Sequence, residues 1–154
     1  MARAKKAVLD FALDDSALLV QALGSIDQGT GWINLTPGVP SELVGDDRSL
    51  FSWLVGSRPL IAPLATWMPA VAGSGKPGSL GILHGRGRLH AEEIAKLALP
   101  PSWRCRQDHA RRGLLFDVGD TTANELATIM MRVVDQLAMV TTTGRYMAEV
   151  FTRS

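Results

Sequence analysis

The stretch from Trp103 to Val118, WRCRQDHARRGLLFDV, constrains the fold more than any other part of the chain. It reads as two β-strands joined by a tight, charged turn, His109-Ala110-Arg111-Arg112. A lone hairpin is not stable in water, so its flanks must supply more strands or a helix. Upstream, Leu80 to His84 reads as a strand and Gly85-Arg86-Gly87-Arg88 as a loop. His90 to Leu99 then has helical spacing through Ile94, Leu97 and Ala98. Glu92 and Glu93 fall in its first turn, where the helix dipole favours acids, and Pro100-Pro101 stops it. Downstream, Thr122-Ala123-Asn124-Glu125 is a capping-box signature. The helix it opens carries Leu126, Ile129, Met130, Val133, Val134 and Leu137 on one face. Arg145 to Thr152 reads as a last strand.

That order is β-α-β-β-α-β. The expected fold is therefore α+β, with a ferredoxin-like C-terminal half over about 79–152. Two helices would cover one face of its sheet. If Asp108 pairs with Gly113 across the turn, Arg104 faces Asp117 on the other side. Leu83, Leu115, Met147 and Phe151 share that second face, which is too apolar to stay bare. An N-terminal α/β half over 7–70, or a second subunit, is expected to pack on it, giving one compact unit over 1–154.

Within the N-terminal half, Ala7 to Ala12 is a short strand or the entry to a helix. Asp14 and Asp15 suit an N-cap, and the helix that follows ends near Gly24. Trp32 to Leu35 is a short strand. Leu50 to Val55 is too short for periodicity to decide, with a hairpin favoured over a short helix. Leu60 to Met68 is extended, and Pro63 and Pro69 would confine it to an edge or a bulge. Residues 72–79 form the best linker.

Composition bounds the function. With 46% hydrophobic and 20% charged residues in 154, the chain is globular rather than disordered. Net charge of +1 provides no global field for nucleic acid or membrane. No apolar run approaches the roughly 20 residues that span a bilayer, and a cytoplasmic location is expected. One cysteine, Cys105, excludes an internal disulfide and a cysteine zinc cage, and its place in the strand points it at the core. Charge is uneven: Asp10 to Asp47 holds seven acids and no Lys or Arg, while Lys76 to Arg112 holds eight bases against three acids. Such asymmetry suits two halves that pack with complementary fields or copies that associate head to tail, and solvated faces with chance clustering are the plainer explanation.

No motif names a reaction. The expected topology does gather scattered ionisable residues. The first two strands of the C-terminal half run parallel, so His84 and His109 end at one edge. Arg86, Arg88 and His90 follow in the loop, Arg111 and Arg112 in the turn, and Arg145 opens the last strand at the same edge. Arginine forks there would bind phosphate or carboxylate bidentately. The plainer explanation is that loops collect charge because they are wet. A zinc site on His84, His90 and His109 is opposed by five nearby guanidinium groups. Gly85-Arg86-Gly87 lacks the third glycine of a dinucleotide fingerprint, and Gly75-Lys76-Pro77 lacks the residues of a phosphate loop.

The expectation is a non-enzymatic binding or assembly module without cofactor or metal. It associates with itself or with a protein and holds a small anion through His84, Arg86, His90, His109, Arg111, Arg112 and Arg145. The alternative is a small-molecule enzyme using His84 or His109 as general acid/base beside an arginine-bound substrate. Nucleic-acid binding comes third, weakened by the scarcity of lysine.

Overall fold

The computed structural model describes residues 3–26, 29, 31–40 and 62–153. In chain order these form β1 (Ala4–Ala12), a single 3-10 turn at Leu13–Asp15, α1 (Ala17–Ser25), β2 (Gly31–Pro37), β3 (Leu64–Met68), β4 (Gly78–Leu83), α2 (His90–Ala95), β5 (Arg104–His109), β6 (Gly113–Val118), α3 (Ala123–Leu137) and β7 (Arg145–Arg153). The segment Leu50 to Val55 lies outside the described residues.

All seven strands join one antiparallel sheet in the order β1-β7-β2-β3-β4-β6-β5. Strand alternation builds its two faces. Phe11, Ile33, Leu35, Ala65, Leu80, Ile82, Leu114, Phe116, Val118, Tyr146, Ala148 and Val150 are buried and belong to one core. The helices supply the rest: Leu19, Leu23 and Ile26 at α1, and Leu126, Ile129, Met130, Val133, Val134 and Leu137 along α3. α3 packs on α1, β2 and β3. Its capping box forms as the sequence indicates, with Thr122 Oγ1 accepting from the Glu125 N–H and Glu125 accepting from the Thr122 N–H.

The order β-α-β-β-α-β from β4 to β7 is present, but its strands do not close into a ferredoxin-like sheet. β4, β6 and β5 lie side by side; β7 does not reach β4, because β2 and β3 stand between them. The N-terminal half therefore does not pack on the sheet. It widens it. Ile33, Leu35 and Ala65 are buried in the same core layer as Leu80 and Ile82, so β2 and β3 are needed within the sheet. β3 is an internal strand although prolines flank it: Pro63 and Pro69 fall just outside Leu64–Met68, so no ladder N–H is lost.

The hairpin of β5 and β6 also differs in detail. His109, not Asp108, sits opposite Gly113. A bulge between Cys105 and Gln107 absorbs the extra residue, and Arg104 still faces Asp117. Arg106, rather than Arg104, reaches that carboxylate, at 3.5 Å.

On the face away from the helices, pairing lines up one row across all seven strands: Val8, Glu149, Asn34, Thr66, Gly81, Leu115 and Gln107. Glu149 is buried there and paired with Lys6 at 2.9 Å, and Thr66 donates to Asn34 Oδ1 at 2.8 Å.

Candidate functional site

The strand directions bring His84 and His109 to one edge of the sheet. β4 and β5 are parallel, with β6 antiparallel between them, so both end at the edge where β6 begins. Two strand spacings separate these ends, about 10 Å. Each end carries a histidine with an arginine two residues on.

The two turns share one construction. His84 Nδ1 accepts the backbone N–H of Arg86 at 3.3 Å. His109 Nδ1 accepts from Arg111 at 3.0 Å and from Arg112 at 3.1 Å. Each imidazole thus ties down the backbone that presents an arginine. In neutral His84 the accepting Nδ1 leaves the proton on Nε2. His84 is 5% exposed, and its Nε2 has no hydrogen-bond partner among the described residues. Burial lowers its pKa, and Arg86 adds to this, against the opposing charges of Asp108 and Glu93.

Asp108 holds the loop between the turns in place. Its carboxylate accepts from the N–H groups of Leu89 at 2.9 Å and His90 at 2.8 Å, and Arg88 stands 3.6 Å away. Burial by itself would raise this carboxyl's pKa. The two backbone donors, with Arg88 and His90, outweigh it and hold the group below its ordinary value. The start of α2 is therefore occupied by Asp108. Asp108 does not pair with the turn arginines; Arg88 and the backbone of α2 take its carboxylate instead. The clue was an acid directly before the turn histidine, but its partner is 18 residues distant and gave no local signal.

The remaining residues fall as follows. Arg86, Arg111 and Arg112 are exposed on the two turns, and none has an acidic partner within ion-pair distance among the described residues. Arg86 also lines a cavity of about 390 Å³ with Leu89, Glu93, Lys96, Gln136 and Leu137. His90 is exposed at the start of α2 with a positive φ of 65°. Arg145 starts β7 at the same edge but three strand spacings from β4, about 14 Å. It is bound to Asp10 at 2.9 Å and does not join the turns.

Among the described residues no group of three His, Cys, Asp or Glu side chains is arranged to hold a metal ion. Cys105 is exposed, not in the core: it lies on the edge strand β5 and opens into a cavity it shares with Ile94 and Ala95 of α2. Residual burial raises its pKa, so the thiol is not activated. No described helix is long and apolar enough to cross a membrane. Comparison of the chain with family models, curated proteins and solved structures finds no match.

Proposed function

We propose that the protein is a non-enzymatic binding module that holds an anionic partner at the paired His-x-Arg turns, acting in the cytoplasm, where an exposed Cys105 stays reduced. One observation carries the reading. Arg86, Arg111 and Arg112 stand without an ion-pair partner among the described residues, on turns that His84 and His109 stiffen through their Nδ1 atoms. Prior ordering of a turn lowers the entropy lost when its side chains engage a ligand. Guanidinium groups on turns about 10 Å apart suit a chain of anionic groups, such as a polyphosphate or a run of carboxylates, better than one small ion.

The catalytic alternative has less support. His84 is buried, and His109 spends Nδ1 on its own turn. Nucleic acid is a poorer match than a short anion, given a net charge of +1.

Thermal shift and calorimetry with inorganic phosphate, tripolyphosphate and a nucleoside triphosphate test the reading. Tripolyphosphate is expected to bind more tightly than phosphate, and the double change Arg111→Ala with Arg112→Ala to weaken it at least about tenfold, the loss of one charge-assisted contact. Equal shifts in the parent and the double variant would remove the site.

A further inference from the structure

The sheet has two edges of opposite character. β5 carries Arg104 and Arg106 exposed on its outer side and breaks its register with a bulge. These are devices that keep an edge strand from pairing with another chain. β1 has no bulge. Its nine residues pair with β7 without interruption, from Ala4 opposite Arg153 to Ala12 opposite Arg145. Among the described residues no strand takes its other side. A long regular edge offers a row of N–H and C=O groups that another strand can satisfy.

The side chains indicate which strand. On the face away from the helices, β1 shows Lys6, Val8 and Asp10 in alternation, and Val8 is 54% exposed. Val8 is also the midpoint of Ala4–Ala12. A two-fold axis through Val8 and normal to the sheet overlaps the full strand with its copy. Ala4 then faces Ala12, Lys5 faces Phe11, Lys6 faces Asp10, Ala7 faces Leu9, and Val8 faces itself. Opposite charges meet twice around an apolar centre, a favourable cross-strand arrangement. Moving the axis by one residue sets each charge opposite an apolar side chain. Moving it by two sets Lys6 on Lys6 or Asp10 on Asp10.

Both charges already have partners within the chain: Lys6 with Glu149 at 2.9 Å, and Asp10 with Arg145 at 2.9 Å. The axis through Val8 extends these pairs into a line of alternating sign. Glu149 and Lys6 of one copy continue into Asp10 and Arg145 of the other. Of six large exposed hydrophobic side chains among the described residues, Val8 is the one in β1.

We propose that the chain forms a two-fold homodimer through antiparallel pairing of β1 with β1 of a second copy, centred on Val8, which joins two seven-stranded sheets into one of fourteen strands. The axis keeps both sets of helices on one side. The proposal does not depend on what the His-x-Arg turns bind.

The test uses charge reversal in the full chain, in a Cys105→Ser background. Sedimentation over a micromolar range is expected to give the parent twice its 16.6 kDa mass. Lys6→Asp alone sets two acids against Asp10, and Asp10→Lys alone sets two bases against Lys6. Each single variant is expected to dimerise about tenfold more weakly. An equimolar mixture restores both opposite-charge pairs and is expected to recover the dimer, which a mere folding defect would not do. Val8→Cys is expected to cross-link to itself under mild oxidation, and Leu13→Cys not. A monomeric parent overturns the proposal, as do single variants that dimerise like the parent, a mixture that stays monomeric, or a β1 that pairs only with a foreign peptide strand.

Discussion

α2 and α3 begin and end by different means, although both cover the same sheet. α3 carries its own start in four consecutive residues, Thr122 to Glu125. α2 has no such signal. Leu89 stands at its N-cap position, buried in the core, with no side-chain atom to accept an N–H. The acceptor is Asp108, on β5. The other end is also held from outside: Arg132 of α3 donates to the carbonyls of Leu97 at 2.9 Å and Ala98 at 3.0 Å. An acid at the N-terminal end and a base at the C-terminal end both suit the helix dipole. A six-residue helix cannot persist in water on propensity alone. α2 is therefore a product of the assembled sheet, whereas α3 can help to assemble it.

The largest expected effect breaks that dependence. Asp108→Ala removes the acceptor of two backbone N–H groups and the partner of Arg88, a loss of about 3 kcal/mol. Denaturant titration measures the loss. Amide exchange is expected to localise it, with protection falling across Leu89 to Ala95 and unchanged through the centre of α3. The wild type should show the same weakness in acid. Asp108 has a folded pKa below its ordinary 3.8, so its contribution is complete above that value and fades as pH falls through the folded pKa. His84 acts in a higher window. Its folded pKa lies below 6.5, so stability is steady above 6.5 and declines as pH drops from there towards the folded value. Asp108→Ala is expected to remove the lower decline and, because the Asp108 charge holds the His84 pKa up, to extend the upper one. A variant that keeps the full acid limb would mean that Asp108 does not cap α2.

Thr122→Ala is the matching change in α3. It removes a local cap and is expected to cost about 1 kcal/mol, read from the shift of the denaturant midpoint. The exchange pattern should differ from that of Asp108→Ala. Fraying stays within the first turn of α3, because Leu126 to Leu137 remain locked in the core. A loss equal to that of Asp108→Ala would erase the distinction between the two helices.

The same distinction explains what could be read from the chain. The capping box, the hairpin turn and the apolar face of α3 depend on residues within a few positions of each other, and all are legible as pattern. The element order after residue 78 is legible for the same reason. The insertion of β2 and β3 between β7 and β4 is not, because strand order is decided by which distant strands share a core. Alternation put Cys105 on the inner face, but it cannot reveal that β5 is an edge strand, where that face stays open to a cavity beside α2. His84 and His109 meet at one sheet edge because parallel strands end together, which needs only strand direction. Arg145 shares that edge but not the neighbourhood, because lateral distance depends on the strand order. The complementarity of Lys6 and Asp10 about Val8 lay in plain alternation, yet it has meaning only once β1 is known to be an edge.

The smallest expected effect concerns the last turn of the externally held helix. Ala98 follows α2 with a φ of 51°, in the left-handed region where a Cβ crowds the following carbonyl. That conformation costs an L-residue about 1 kcal/mol, whereas glycine adopts it freely. Glycine also has more freedom to lose on folding, which cancels part of the gain. Ala98 is exposed, so its methyl group contributes little packing, and Arg132 contacts only its carbonyl. Ala98→Gly is thus expected to stabilise the protein by about 0.5 kcal/mol, a rise in melting temperature of a few degrees at most. The same substitution past the end of α3 is the control. Ala138 has an ordinary φ of −62°, so Ala138→Gly relieves nothing and should lower stability slightly. Opposite signs at these two alanines would show that α2 is strained into place by its neighbours while α3 is not; equal signs would show that both helices end on their own terms.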